Sequence, residues 1–182
     1  MDSANFNQDR KFERRTRKIA LTGILSALVV ISLVLESIAP TGRLGFYVLA
    51  GFLLSVVLLE AGIGWGWASY VVTSALGYLL VPEKLNLLPY IMFFGIYTLL
   101  KFHIESIRKP WIEIVLKLAA FNLFLWPGWG IARSFLSSRL TRGAWVIAAG
   151  IVLDVMFILY DFLFTLWINY YNEKISPRIR KI

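Results

Sequence analysis

The residues best placed to do chemistry in this chain are a few ionisable and aromatic side chains inside long apolar runs. Asp154, Asp161, Thr165 and Asn169 follow one another at spacings of seven, four and four. At 3.6 residues per turn that places them on one helical face. Tyr90, Tyr97 and Lys101 repeat at seven and four and also share a face. Glu36 stands among apolar residues shortly before Arg43, and Glu83, Lys84 and Asn86 cluster in a later polar stretch. Glu113 and Lys117 are four residues apart in the favourable order for a helical ion pair.

Two kinds of chemistry suit such groups. An ionisable side chain at the centre of a bilayer costs about 2.5–3.5 kcal/mol on insertion scales, so it faces a pathway or a partner. A polar stripe on Asp154, Asp161 and Thr165 therefore lines a solute or ion route, or it pairs helices. Asp161 falls at the depth of Lys117 and Lys101, which suits a structural pair of Lys117 with Asp161. No basic residue is expected at the depth of Asp154, which leaves binding and packing both open for that carboxylate. Tyr90 and Tyr97 pack, or they stack on a ring and hydrogen-bond it. Glu36, Arg43, Asn86, Tyr90 and Asp154 are the candidate substrate-binding residues.

Other chemistries are excluded by absence. The chain has no Cys, so thiolate catalysis and disulfides do not arise, and its single His103 cannot build a multi-histidine metal centre. No phosphate-binding loop and no G-x-S-x-G elbow occurs. Asp154 and Asp161 lie about 10 Å apart along a helix axis, too far to share one proton as a carboxylate dyad. No catalytic residues, metal or cofactor are assigned.

The elements that position these residues are apolar helices. Of 182 residues, 58% are hydrophobic and only 16% charged, against about a quarter charged in soluble domains. Lipid must cover the excess. The expected fold is all-α, an integral membrane bundle of about six transmembrane helices. The spans fall at about 19–39, 44–63, 65–81, 87–104, 111–126 and 144–171, since some 20 apolar residues cross a bilayer. Residues 1–18 form a basic cytoplasmic lead, amphipathic or disordered. Residues 19–172 make one six-helix domain, and 173–182 a basic cytoplasmic tail. The lead imitates a signal peptide, but the apolar run is too long and no cleavage motif follows. Pro127-Gly128-Trp129-Gly130 is expected to break or kink the fifth helix, with 131–142 lying along the outer interface.

Charge sets the orientation. Arg10, Lys11, Arg14, Arg15, Arg17, Lys18, Lys101, Arg108, Lys109, Lys174, Arg178, Arg180 and Lys181 fall on one side, and Arg43, Lys84, Arg133, Arg139 and Arg142 on the other. The positive-inside rule then puts both termini in the cytoplasm. The net charge of +8 is read as meeting anionic membrane lipid and not nucleic acid.

The first span opens with Ala20, Gly23 and Ala27, small residues at helical spacing that let another helix approach closely in lipid. With about 180 residues, six helices and a basic lead, this layout resembles the substrate-binding S components of energy-coupling factor (ECF) vitamin transporters. Tyr90-Ile-Met-Phe-Phe-Gly-Ile-Tyr97, Lys117-Leu-Ala-Ala-Phe-Asn122, Leu159-Tyr-Asp-Phe-Leu-Phe-Thr165 and Pro177-Arg-Ile-Arg180 further resemble a group of small bacterial membrane proteins beside that family. The resemblance implies a subunit that binds a small solute such as a vitamin or precursor. It also implies that Ala20, Gly23 and Ala27 pack on a transmembrane coupling subunit driven by an ATPase pair. The competing readings are a membrane scaffold or assembly protein, whose polar stripe serves packing alone, and last an intramembrane enzyme.

Overall fold

The computed structural model describes residues 3–107, 109–132 and 144–179. Expectations for Arg108, Arg133, Arg139, Arg142, Arg180 and Lys181 lie outside these. Among the described residues the chain is entirely helical: α1 Ser3–Ile38, α2 Arg43–Ala61, α3 Ile63–Leu80, α4 Lys84–Pro89, a π-helical turn Tyr90–Phe94, α5 Gly95–Glu105, α6 Pro110–Ala132, α7 Ala144–Tyr170, a second π-helical turn Tyr171–Ile175 and α8 Ser176–Ile179. Four stretches are long and apolar enough to cross a bilayer: Phe12–Ile38, Arg43–Ala61, Lys84–Glu105 and Val146–Arg178. Ile151, Val155, Ile158, Phe162 and Leu166 of α7 are exposed. Large apolar side chains covering most of a 27-residue helix call for hydrocarbon around them, not water.

Two boundaries differ from expectation. The basic lead is helical and continuous with the first span, because α1 is one helix of 36 residues from Ser3 onward. At 1.5 Å per residue that is about 54 Å, well beyond the ~30 Å hydrocarbon thickness. Its lead carries Arg, Lys and Glu, all good helix formers, and no Gly or Pro to stop propagation. The fifth helix does not end at Trp126, since α6 runs through Pro127 and Gly130 to Ala132.

Two compact units make up the chain, Met1–Leu100 and Lys101–Ile182. In the first, α1, α2 and α3 pack against one another. Their core is Val29, Leu33, Ala50, Leu54 and Val57, all shielded from solvent. Ser26 and Ser69 bridge α1 to α3 through their hydroxyls at 2.7 Å, and Ser32 donates to the Phe46 carbonyl on α2 at 2.8 Å. Lys18 reaches the Ala61 carbonyl at 3.1 Å, answering one of the carbonyls left open at the end of α2. Lys84 does the same for α3 through the Val81 carbonyl at 2.8 Å.

In the second unit α6 and α7 run antiparallel. Lys117 meets Asp161, Phe121 stacks on Phe157 at 4.4 Å between centroids, and Asn122 donates to Asp154 at 3.1 Å. Moving forward along α6 is moving back along α7, so these three contacts are rungs of one helix pair.

Glycines mark where helices come closest. A Cβ at Gly95 would lie 2.7 Å from the Tyr70 ring and 3.0 Å from the Tyr90 carbonyl, whereas one at Gly23 meets nothing within 4 Å. Gly95→Ala is therefore expected to lower stability by about 1–3 kcal/mol through overpacking. Gly23→Ala should leave stability unchanged or raise it by up to about 1 kcal/mol through helix propensity. Thermal unfolding of the two variants in detergent micelles checks the contrast.

Candidate functional site

The chain reverses between α1 and α2 at Pro40-Thr41-Gly42. Gly42 has φ 76°, a left-handed conformation open to glycine without a Cβ clash. That turn brings Arg43, the first residue of α2, back toward Glu36 on the last turns of α1. The Glu36 side chain is only 2% exposed, while that of Arg43 is 48% exposed, and Arg43 Nε lies 3.9 Å from Glu36 Oε1. The same N–H donates to the Ala39 carbonyl at 3.2 Å. One turn into α2, the Tyr47 hydroxyl sits beside the Glu36 carboxylate and donates to the Asn86 main-chain carbonyl. The Tyr47 ring stacks on Phe94 with centroids 5.4 Å apart.

Below this group the α4–α5 segment is irregular. Pro89 lies inside the helix and is followed directly by the π-helical turn Tyr90–Phe94. Proline removes a main-chain donor and crowds the preceding turn, and a π-turn is one way to absorb that. In hydrocarbon the freed carbonyls need other donors. Tyr47 serves Asn86, and Tyr70 donates to the Ile91 carbonyl at 2.8 Å. Tyr90 itself is fully buried, its hydroxyl 2.7 Å from that of Thr73.

The second unit holds a closed ring of four charges. Lys101 Nζ meets Asp161 Oδ1 and, 2.7 Å away, Glu105 Oε1. Lys117 Nζ lies 2.8 Å from the same Glu105 oxygen and 3.0 Å from Asp161 Oδ2. Thr165 accepts from Lys101 at 2.8 Å and donates to the Asp161 carbonyl at 2.9 Å. The lysines are the deep members, at 1% and 8% side-chain exposure, and the carboxylates the shallow ones, at 32% and 21%. The Phe164 ring face adds a contact to Lys101, 5.6 Å from centroid to Nζ.

The predicted site residues thus fall in two places. Glu36, Arg43, Asn86 and Tyr90 belong to the first unit, where Tyr47 links Glu36 to the Asn86 backbone and Tyr90 is held by Thr73. Asp154 belongs to the second unit and is hydrogen-bonded by Asn122. Asp161 and Thr165, from the same stripe, join the charge ring. Lys117 turns to Glu105 and Asp161 rather than to Glu113, the helical neighbour expected as its partner. Ala20, Gly23 and Ala27 lie on an exposed face of α1. Sequence reasoning missed Tyr47 and Glu105. Glu105 carried a signal, being one helical turn beyond Lys101, but it stands at the end of an apolar run and reads as loop. Among the described residues no group of His, Cys, Asp and Glu could hold a metal ion. The chain matches no family model, no curated protein and no solved structure.

A ring of alternating charges in a low-dielectric setting stands or falls together. Lys101→Met leaves two carboxylates facing one lysine and is expected to cost about 3–5 kcal/mol, the range for breaking a buried pair. Adding Asp161→Asn restores neutrality, so the double variant should be more stable than the single Lys101→Met protein. Unfolding midpoints in detergent for the two singles and the double test this coupling.

Proposed function

We propose that this protein is the membrane-embedded, solute-binding subunit of an uptake transporter of the ECF type, powered by partner ATPases. The observation that carries the reading is the Glu36 carboxylate. It is buried under the α1–α2 turn, with a long contact to the exposed Arg43 and the Tyr47 hydroxyl beside it, which also reaches the Asn86 carbonyl. A buried carboxylate whose cation stands half in solvent is expensive to keep for folding alone. Arg43, Tyr47 and Asn86 gather at the same end of the first unit, as a mouth for a small solute requires.

The face of α1 bearing Ala20, Gly23 and Ala27 supports the partner side of the reading. It is open and free of bulk at Gly23, which suits close packing of a second helix in lipid. The solute would enter from outside, and the coupling subunit would meet the cytoplasmic half of α1.

The orientation follows from six spans with both termini cytoplasmic. Besides the four apolar stretches, α3 has 18 residues and α6 has 23. Exposed Trp111 and Trp126 sit about 22 Å apart along α6 at 1.5 Å per residue, as a pair of interfacial anchors would. The chain contains no cysteine, so single cysteines can be introduced against a silent background. Cysteines at Ser3 and at the exposed Lys174 should react with an impermeant maleimide only after the membrane is opened, and one at Thr41 should react in intact cells. Reaction of the Ser3 and Lys174 positions from opposite sides would overturn the six-span arrangement.

Function is tested by gentle purification from the native membrane. The protein should travel with an ATPase pair and a coupling subunit, Gly23→Leu should release them without unfolding the bundle, and Glu36→Gln should abolish solute retention seen by native mass spectrometry. A bundle that purifies alone and empty would favour a scaffold or assembly role.

A further inference from the structure

We propose that the edge of the α6–α7 pair carrying Asn122 and Asp154 is an intramembrane interface, and that its occupant is a transmembrane helix of another protein with a lysine or arginine at mid-span. Both residues belong to the second unit, apart from the solute site proposed on the first.

The carboxylate stands deep in the span and yet on the outside of its helix pair. Asn122 and Asp154 are each ten residues from the end of their helix, at Ala132 and Ala144. That is about 15 Å, half the hydrocarbon thickness, and on the hydrocarbon side of Trp126. The core between the two helices is the Phe121–Phe157 stack. Asp154 is only half-buried and Asn122 is exposed.

The charge is not answered within the chain. An ionised carboxylate presents about four lone-pair sites. Among the described residues Asp154 receives one donor, the Asn122 amide at 3.1 Å, which also serves the Leu118 carbonyl at 3.0 Å. An amide brings no charge. Lys101 and Lys117 cannot be borrowed, because each is held between Glu105 and Asp161 in a ring that is already neutral. Moving either lysine to Asp154 would strip a carboxylate of the ring. A second copy of this chain would offer the same two engaged lysines, and would set Asp154 toward a like charge. A carboxylate at this depth is paired, so the cation comes from a different protein.

The surface has room for the helix that would carry it. Ile147, Gly150, Asp154 and Ile158 follow at spacings of three, four and four and share one face of α7, with both isoleucines exposed. A Cβ at Gly150 would meet nothing within 4 Å, so one turn from the carboxylate a second backbone can approach closely. On α6, Val115, Asn122 and Trp126 likewise share a face, and Val115 and Trp126 are exposed. Lipid tails would cover the apolar members of this surface as well as a helix does. Only a helix bearing a cation satisfies Asp154, and that is what selects the occupant.

The test uses the full chain in detergent micelles with three host peptides, leucine–alanine helices of about 24 residues carrying a central Lys, Leu or Asp. A central residue reaches the same depth whichever way the helix inserts. Association is read by energy transfer from labelled peptide to labelled chain. The wild type is expected to bind the Lys peptide about tenfold more tightly than the Leu peptide, within the span measured for interhelical polar contacts. Asp154→Asn keeps the shape and the contact to Asn122 but removes the charge, and should lose that preference. Gly150→Leu should weaken the Lys peptide with the charge still in place. Asp154→Lys should prefer the Asp peptide, a reversal that a role in α6–α7 packing alone does not produce. Asp154→Asn decides the question where Asp154→Lys does not fold. Equal affinity of the wild type for the Lys and Leu peptides, or a preference that survives in Asp154→Asn, would overturn the proposal. So would a wild type that pairs with itself through Asp154 more tightly than with the Lys peptide.

Discussion

Hydrocarbon leaves a charge nowhere to go, and the second unit of this protein is organised around that constraint. Lys101 and Lys117 carry two positive charges among apolar helices, and Glu105 and Asp161 each touch both. The ring is neutral, so no net charge has to be desolvated. The carboxylates sit at the better-hydrated rim, while the long lysine stems lie along apolar surface. Its geometric consequence reaches further than its energy. A salt bridge within one helix would fix only a rotamer, but this ring ties the end of α5 to α6 and α7 at one level. From there Phe121 on Phe157 and Asn122 on Asp154 continue the α6–α7 register. A one-turn slip would leave both lysines facing carbon. Polar residues fix the alignment here because apolar side chains in lipid gain little by choosing one neighbour over another.

The first unit meets the same constraint with hydroxyls in place of ions. The break at Pro89 and the π-helical turn after it would leave main-chain carbonyls unanswered inside the bilayer. Tyr47 and Tyr70, from two different helices, answer two of them, and Thr73 holds Tyr90 in the same layer. An irregular segment is tolerated at this depth because protein, not lipid, surrounds it. The irregularity in turn brings the Asn86 carbonyl within reach of Tyr47, beside Glu36. The local flaw in the helix and the candidate site are thus parts of one arrangement.

Much of this was legible in the sequence, for a simple reason. Apolar length is dictated by bilayer thickness, so the helix limits agree with the predicted spans to within a few residues wherever Gly or Pro closes a run. They disagree where that logic has no purchase. The lead before residue 19 is polar, so hydropathy ends the first helix there, while helix propensity carries it back to Ser3. Pro127 reads as a stop, yet the helix continues to Ala132. The site was legible only in part. Glu36 stands out as a carboxylate among apolar residues, and Arg43 as its neighbour across a turn. Tyr47 does not stand out, because a tyrosine in a spanning helix is ordinary until its hydroxyl is seen to be engaged. The Asn86 contribution was invisible for a different reason: it enters through a main-chain carbonyl, which no residue type announces. Glu113 and Lys117 show the reverse error. Their spacing favours a pair on an isolated helix, but Glu105 and Asp161 offer Lys117 a deeper setting with two carboxylates.

In a membrane protein the mere presence of a buried charge says little about function, because packing and binding both call for one. The degree of satisfaction separates them. A charge kept for structure is surrounded until nothing further can bind it, as Lys101 is by Glu105, Asp161 and Thr165. A charge kept for a ligand must retain part of its capacity, because a ligand can gain no more than the protein has left unspent. Glu36 is more deeply buried than either carboxylate of the ring, and its charge is met by the half-exposed Arg43 and the Tyr47 hydroxyl in place of two close lysines. Asp154 lies between the two cases. Among the described residues Asn122 gives it one hydrogen bond and no counter-charge, which is enough to hold α6 to α7 and too little to neutralise a carboxylate. On this scale the two carboxylates differ in kind: Glu36 is deep and met by a half-exposed cation, whereas Asp154 is shallower and met by an amide.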